Sequence, residues 1–272
     1  MQIASVALIC AGLTACGPVP RGQVDGGSGD AVPGGDGNRN DGAQTMVTSV
    51  YAHTSTALFR VDPETLAISK VGNFAWSNGA DEMTDLAIDQ TGDMIGISFD
   101  SVYRVNPQTA QASRLNNRLT GNFNGLTFVP ATLLNSTGAD ILIASRNSDG
   151  NIFRVDLASG TTSVIGRMGG TVTSSGDIVA VAGLGVFLTA DPGGNDVLQK
   201  LTPPALVATA VGSSTGYADL WGLGFWKNKI FGFANNGDFV LIDRTTGQGQ
   251  LVMNAGQPWF GAAVSTVAPV VE

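Results

Sequence analysis

The sequence has very little of the residue types on which metal and acid–base chemistry most often depend. Its 272 residues include one histidine, His53, two cysteines and three glutamates. Chemistry that needs several histidines cannot be built within one chain. Charged residues make up only 13% of the chain, and the net charge of −8 would repel a nucleic acid on average. The composition therefore predicts no cofactor, no metal and no nucleic-acid partner.

The residues that are abundant favour short strands joined by tight turns. Glycine occurs 37 times, and hydrophobic residues make up 43% of the chain. Glycine disfavours long helices, whereas the apolar content is sufficient for a core. The chain length suits one large all-β domain or two small ones. We expect an all-β protein that is a monomer.

An uncharged apolar stretch occupies residues 3–15. A helix that spans a bilayer needs about 20 residues, so this stretch has instead the length of a signal-peptide apolar region. It ends in Leu13-Thr14-Ala15-Cys16, which resembles the lipobox of bacterial lipoproteins. The resemblance implies that residues 1–15 are a signal peptide and that Cys16 carries a lipid anchor, with palmitate as a marker.

The residue after the lipobox cysteine is Gly17 and not aspartate. By resemblance to lipoprotein sorting rules, this implies an anchor in the outer membrane of the cell envelope. Residues 16–45 then repeat Gly, Pro, Asp and Asn and contain no aromatic residue. Such a segment cannot bury enough apolar surface to offset the entropy of ordering, so we expect a disordered tether.

A segment of the type aromatic-Arg-aliphatic-Asp-Pro recurs after the tether. Successive copies start 44, 50, 46 and 41 residues apart. A period of this length is typical of a four-stranded propeller blade, in which this segment would be the third strand and the turn into the fourth. The copies begin at Phe59, Tyr103, Phe153, Gln199 and Val240.

The repeat count predicts a five-bladed β-propeller over residues 46–268. The first blade has only three candidate strands, at 47–53, 57–62 and 67–72, while a spare strand follows at 261–267. We expect this C-terminal strand to complete the first blade and close the ring, because closure removes exposed sheet edges. The chain resembles the broad class of repeat propellers, and that class carries almost no information on function.

Aromatic residues in the connections between blades are the candidates for a ligand-binding face. These connections lie at one end of a propeller, and exposed indole rings stack on sugars and line ligand grooves. Trp226, which lies within a strand, is expected to be shielded. The alternative is that the rings pack between blades or fill the axis. The candidate ligand-face residues are Trp76, Phe123, Trp221 and Trp259, with Phe260 similarly placed.

A second set of candidates consists of carboxylates near the start of the second blade. Asp81, Glu82 and Asp85 cluster there, and Asp177 opens the fourth blade at an equivalent point. Paired carboxylates within about 5–10 Å of each other could hydrolyse a glycoside. The alternative is that acidic loops are simply solvated.

Three functions are therefore left open. The first is a lipid-anchored envelope module that binds a glycan, a peptide or a protein through its aromatic face. The second is an envelope glycosidase or lyase that uses Asp85 with Asp81, Glu82 or Asp177. The third is a structural scaffold. Turn sequences such as Asn147–Asn151 resemble fragments of calcium loops, but they lack the final bidentate glutamate and are interpreted as hairpin turns.

Overall fold

The computed structural model describes residues 49–271, and this range folds into five β-sheets arranged as the blades of a propeller. Helix is confined here to one 3-10 turn at Ala131–Leu134. Within the same range no helix is long and apolar enough to cross a membrane. The prediction of an all-β, five-bladed propeller is confirmed. The predicted signal peptide, Cys16 and the tether lie outside the described residues.

Blade 1 joins the two ends of the described chain, as predicted. It contains β1 (Val50–His53), β2 (Ala57–Val61) and β3 (Ile68–Asn73), in that order from the axis outwards. The last strand of the chain, β21 (Gly261–Ala263), pairs antiparallel with β1 and becomes the innermost strand of the blade. The pairing covers only three of the seven residues that the sequence suggested.

Blades 2 to 5 each contain four consecutive strands, and the first of the four (β5, β9, β13 or β17) lies innermost. Blade 2 has one more, β4, which pairs parallel with its outermost strand. The strands are β4 (Ala75–Trp76), β5 (Asp85–Ile88), β6 (Met94–Ile97), β7 (Val102–Val105), β8 (Gln111–Asn116), β9 (Gly125–Val129), β10 (Ile141–Ser145), β11 (Asn151–Val155), β12 (Thr162–Arg167), β13 (Ser174–Val181), β14 (Gly185–Ala190), β15 (Val197–Thr202), β16 (Val207–Val211), β17 (Leu220–Trp226), β18 (Lys229–Ala234), β19 (Asp238–Asp243) and β20 (Gly249–Asn254).

The turn from third to fourth strand repeats the same hydrogen bonds in different blades. Asp62 Oδ1 accepts the backbone N–H groups of Glu64 and Thr65, each at 2.9 Å. Asp243 Oδ1 makes the equivalent pair, each at 2.8 Å, and Asn106 does the same in blade 2. The Asp-Pro-like segment ends a strand because its short Asp or Asn side chain accepts hydrogen bonds from the backbone of its own turn.

Burial falls from the axis to the rim. The innermost strands β5, β9 and β13 are buried along their whole length, whereas outer strands such as β3 and β20 are half-buried or exposed. Each innermost strand contacts the innermost strand of the next blade, and β21 contacts both β5 and β17. The core is therefore a closed ring, and its aliphatic strands carry the continuous apolar runs expected of strands covered on both faces.

The segment that follows β21 crosses the end of the axis where the innermost strands finish. Ser265 Oγ donates to the backbone O of Asp89 at 2.8 Å, next to the end of β5. The backbone O of Thr266 accepts from Ala182, and that of Pro269 accepts from Lys227, each at 2.8 Å. These contacts reach blades 2, 4 and 5, so the C-terminal segment covers this end and leaves the opposite end as the mouth of the propeller.

Candidate functional site

In every blade, one residue of the innermost strand lies at the axis, close to the mouth, and it occupies the same position of the repeat. Two of the five residues there are aspartates and three are glycines. Each is followed by an aliphatic residue or alanine, so the five residues are equivalent positions of the repeat and not a local motif. The five residues are Asp85, Gly125, Asp177, Gly222 and Gly261.

The two aspartates accept backbone N–H groups from other blades. Asp85 Oδ2 accepts from Leu126 of blade 3 at 2.5 Å. Asp177 Oδ2 accepts from Leu223 of blade 5 at 2.5 Å and from Ala262 of blade 1 at 3.1 Å. Buried backbone N–H groups need hydrogen-bond acceptors, and at the axis no neighbouring strand can supply them, so the two carboxyl groups do. The two carboxyl groups thus link innermost strands across the axis.

The axial glycines lie where the strands approach too closely for a side chain. A Cβ atom at Gly261 would collide with Asp85 and His53, and one at Gly222 would lie 2.8 Å from the backbone carbon of Gly261. Such close approaches exclude any larger residue unless the ring opens. Aspartate at two positions and glycine at three is therefore a packing solution for the crowded axis.

Burial dominates the ionisation of the two carboxyl groups. It raises the pKa of Asp85 well above its ordinary range, and the charge of the adjacent Asp177 raises that pKa further. Burial likewise raises the pKa of Asp177 to about 8. The two groups interact and titrate as a pair, and their raised pKa values mean that the pair holds at least one proton at neutral pH.

His53 completes the buried cluster beside Asp85. Its Nδ1 donates to the backbone O of Thr54 at 2.9 Å, so its Nε2 is the unprotonated nitrogen of a neutral ring. Nε2 lies 3.7 Å from Asp85 Oδ1, too far for a hydrogen bond, and has no other partner. Burial lowers the pKa of His53 to about 4. Within residues 49–271 no three metal-ligating side chains come together in a way that could hold a metal ion.

The structure brings together Asp85 and Asp177, as the sequence suggested for a catalytic pair, but seals them from solvent. Both side chains are fully buried and their oxygens are occupied by backbone donors. The other two acidic candidates do not join them. Asp81 accepts the hydroxyl of Tyr103 at 2.5 Å, and Glu82 is exposed. The pair therefore has a structural role, since it holds the innermost strands together; we call Asp85 and Asp177 the latch.

A cavity of about 540 Å³ opens at the mouth, directly beyond this cluster. The residue that precedes each axial position lines it, so all five blades contribute. The other lining residues come from the connections between blades, from turns between second and third strands, and from the start of β13. The lining includes Thr84, Asn124, Gly176, Trp221 and Phe260, one from each blade, with Phe99, Ser175, Asp191 and Asp219.

Trp221 is the one predicted ligand-face tryptophan that lines the cavity. It is half-buried, and its ring meets that of Phe260 edge to face with centroids 5.6 Å apart. Phe99, on the turn between β6 and β7, is 52% exposed and lines the cavity from blade 2. The cavity therefore has accessible aromatic rings, and the role of Trp221 in binding stays a prediction.

Two other aromatic candidates belong to the core, so the expectation that their rings are accessible is wrong. Trp259 is fully buried against Phe59 and Phe233, with centroids 5.2 and 5.6 Å away. Phe123 is fully buried and packs on Phe153 at 5.1 Å. Both rings fill space between blades, which was the alternative interpretation of aromatic residues in connections.

The remaining tryptophans lie away from the mouth cavity. Trp76 is in β4, along the outer edge of blade 2, and its ring packs against Tyr103 at 4.9 Å. Trp226 is half-buried, and its Nε1 donates to Glu64 at 2.9 Å. The expectation that Trp226 is the shielded tryptophan is therefore wrong; Trp259 is.

Sequence reasoning missed the polar part of the cavity lining. Asn124 precedes the axial residue of blade 3, Ser175 lies two residues before that of blade 4, and Asp191 and Asp219 lie between strands. A blade-by-blade alignment of the innermost strands would have shown that the axial position is always Asp or Gly. The residue before it would then have been the natural candidate for the mouth.

Comparison with known proteins gives the fold and no family. No protein-family model and no curated protein matches the chain. One similar solved structure is a chain in the crystal structure of a nidogen/laminin complex, with a TM-score of 0.51 and 8% identity. The match covers 80% of this chain and 98% of that chain. At this identity the likeness supports the propeller architecture alone.

The raised pKa values of the latch predict that stability falls as the pH rises above neutrality. Asp177 keeps its proton in the folded state up to a pKa of about 8, whereas its ordinary value is 3.8. His53 acts in the opposite direction, because its pKa falls from 6.5 to about 4, but that effect ends above pH 6.5. Between pH 6.5 and 8, chemical denaturation should give an unfolding free energy that falls by about 1.4 kcal/mol per pH unit for each retained proton.

The matched variant combines Asp85→Asn with Asp177→Asn, because neither amide can titrate. Its slope over the same pH range should lack the contribution of the retained protons, whatever its absolute stability. A wild-type slope of zero, or an equal slope in the variant, would show that the latch carries no retained proton.

Proposed function

We propose that this protein is a lipid-anchored binding module of the bacterial cell envelope, with the mouth cavity of its propeller as the binding site for a peptide, a protein or a glycan. The observation that carries the proposal is the cavity of about 540 Å³, to which all five blades contribute. Ligand sites are concave and combine aromatic walls with a few polar groups. Trp221, Phe260 and Phe99 supply the walls, and amides, hydroxyls and carboxylates supply the polar groups.

The sealed carboxyl pair favours binding over glycoside hydrolysis. A general acid must reach the glycosidic oxygen, and a nucleophile or base must reach the sugar ring or its water. Asp85 and Asp177 are fully buried and hold backbone donors of neighbouring blades. No observation in the described residues favours catalysis elsewhere in the cavity.

Two further considerations support a protein partner at a membrane surface. The similar propeller chain belongs to a nidogen/laminin complex, which makes a protein partner the first class to test. The lipobox-like residues 13–16 support an envelope address, since acylation of Cys16 would hold the propeller at the membrane.

The site is tested by removing the accessible tryptophan at the mouth. Peptide and glycan arrays prepared from envelope material, probed with the full chain, should give ligands whose binding falls roughly tenfold or more in Trp221→Ala. The control is Trp226→Ala, which removes a half-buried indole outside the cavity. Thermal melts of both variants establish that each is folded. Ligands retained equally by the wild type and Trp221→Ala would contradict the mouth as the binding site.

The anchor is tested separately in cells. Radiolabelled palmitate should label the wild-type chain and not Cys16→Ser, and only the labelled protein should fractionate with membranes. Equal labelling of both proteins would overturn the envelope anchor while leaving the mouth cavity untouched.

A further inference from the structure

One corner of the mouth cavity is acidic and has no cation to balance it. Asp191, in the connection from β14 to β15, and Asp219, just before β17, are both exposed and line the cavity. The lining includes no lysine or arginine. The ion pairs found in residues 49–271 involve neither carboxylate.

A third carboxyl group lies immediately behind the wall of this corner. Asp196 is 1% exposed, and its Oδ2 accepts the hydroxyl of Ser175 at 2.8 Å and the backbone N–H of Leu220 at 2.7 Å. Its Oδ1 has no hydrogen-bond partner. Burial raises the pKa of Asp196 to about 6, and the charges of Asp191 and Asp219 add to that rise. The three groups therefore form one acidic corner, consisting of Asp191, Asp196 and Asp219.

The unsatisfied polar atoms on this side of the molecule are acceptors. Asn124 lines the cavity, its Nδ2 donates to the backbone O of Ser175 at 3.4 Å, and its Oδ1 is buried without a partner. Asp196 Oδ1 has the same deficit. Buried acceptors without donors are costly, and their partial charges add to the negative character of this wall.

An aromatic ring stands beside the acidic corner. The backbone N–H of Trp221 donates to the backbone O of Asp219 at 2.9 Å, and both residues line the cavity. The edge-to-face contact with Phe260 fixes the indole further and leaves it half-buried at the wall. A cation that reaches Asp219 would pass close to this ring, and cations bind indole faces best among aromatic rings.

We propose that the mouth cavity binds an arginine side chain that projects from a peptide segment of the partner. Guanidinium is planar, stacks on aromatic rings and presents five N–H donors, so it matches an aromatic wall beside carboxylates. The proposal rests on the proposed binding function and names its ligand chemistry. A neutral sugar also donates hydrogen bonds, but it gains nothing from the uncompensated charge of the acidic corner.

The test compares two peptides that differ only in charge. Acetyl-Gly-Arg-Gly-amide and its citrulline counterpart, which is neutral and of the same shape, are titrated into the full chain while tryptophan fluorescence is followed. The arginine peptide should bind roughly tenfold or more tightly, because hydrogen bonds to charged groups are the stronger ones. Its affinity should also weaken as salt is added.

Variants assign that preference to the acidic corner. Asp191→Asn combined with Asp219→Asn should remove most of the discrimination between the two peptides. Asp156→Asn is the matched control, because it removes one charge from a turn at the other end of the blades. In blade 2 asparagine already occupies this position as Asn106 and makes the same kind of turn hydrogen bonds. Arginine-peptide affinity should be unchanged in the control.

The outcomes separate this inference from the binding function itself. Equal binding of the two peptides, loss of affinity in Asp156→Asn, or binding of envelope glycans in place of the arginine peptide would each overturn the arginine site. The proposed function would still hold in these cases if binding depended on Trp221. If neither peptide binds while the arrays yield Trp221-dependent ligands, only the arginine inference fails.

Discussion

The innermost strands of five blades bring backbone N–H groups to an axis where no further strand can pair with them. Asp85 and Asp177 accept five of these groups, two from their own strands and three from other blades, those of Leu126, Leu223 and Ala262. One carboxyl group from blade 2 and another from blade 4 therefore link all five blades, since their acceptor contacts reach blades 3, 5 and 1. Gly261 and Gly222 let the strands approach closely enough for these contacts. The ring depends on this small cluster because removal of one partner would leave buried donors unsatisfied.

The same cluster determines where a ligand can bind. It seals the axis below the mouth, while the segment after β21 covers the other end through Ser265, Thr266 and Pro269. The axis is therefore closed at both ends of the innermost strands, and the mouth cavity is a cup. Two adjacent positions of the innermost strand thus have different roles. The axial residue closes the ring, and the residue before it lines the cavity.

The sequence was sufficient to predict the architecture, because the recurring turn has a local cause. Asp62, Asn106 and Asp243 each accept backbone N–H groups within their own turn, so the signal survives in a single sequence. Ring closure followed from counting strands. The positions of the aromatic side chains could not be predicted in the same way. Trp221, in β17, and Trp259, just before β21, both closely precede an axial glycine, yet one lines the cavity and the other is core. Whether a ring points to the axis or between blades depends on neighbours that are distant in sequence.

The burial of the carboxylates is a second feature that could not be predicted from the sequence. The sequence paired Asp85 with Asp177 from their equivalent places in the repeat, and the structure brings them together. Their burial could not be predicted, because it depends on glycines in three other blades. Burial changes the interpretation from two reactive acids to two structural groups that retain at least one proton at neutral pH. His53, neutral and without a partner at Nε2, belongs to the same buried cluster.

Infrared spectroscopy of the folded protein tests this account most directly, because a protonated carboxyl group has a C=O stretch distinct from that of a carboxylate. At neutral pH the wild-type spectrum should contain the band of a buried protonated aspartate, slow to shift in heavy water. The band should disappear when Asp85→Asn and Asp177→Asn are combined and persist in Asp156→Asn. Absence of the band from the folded wild-type protein at neutral pH would contradict a retained proton at the axis.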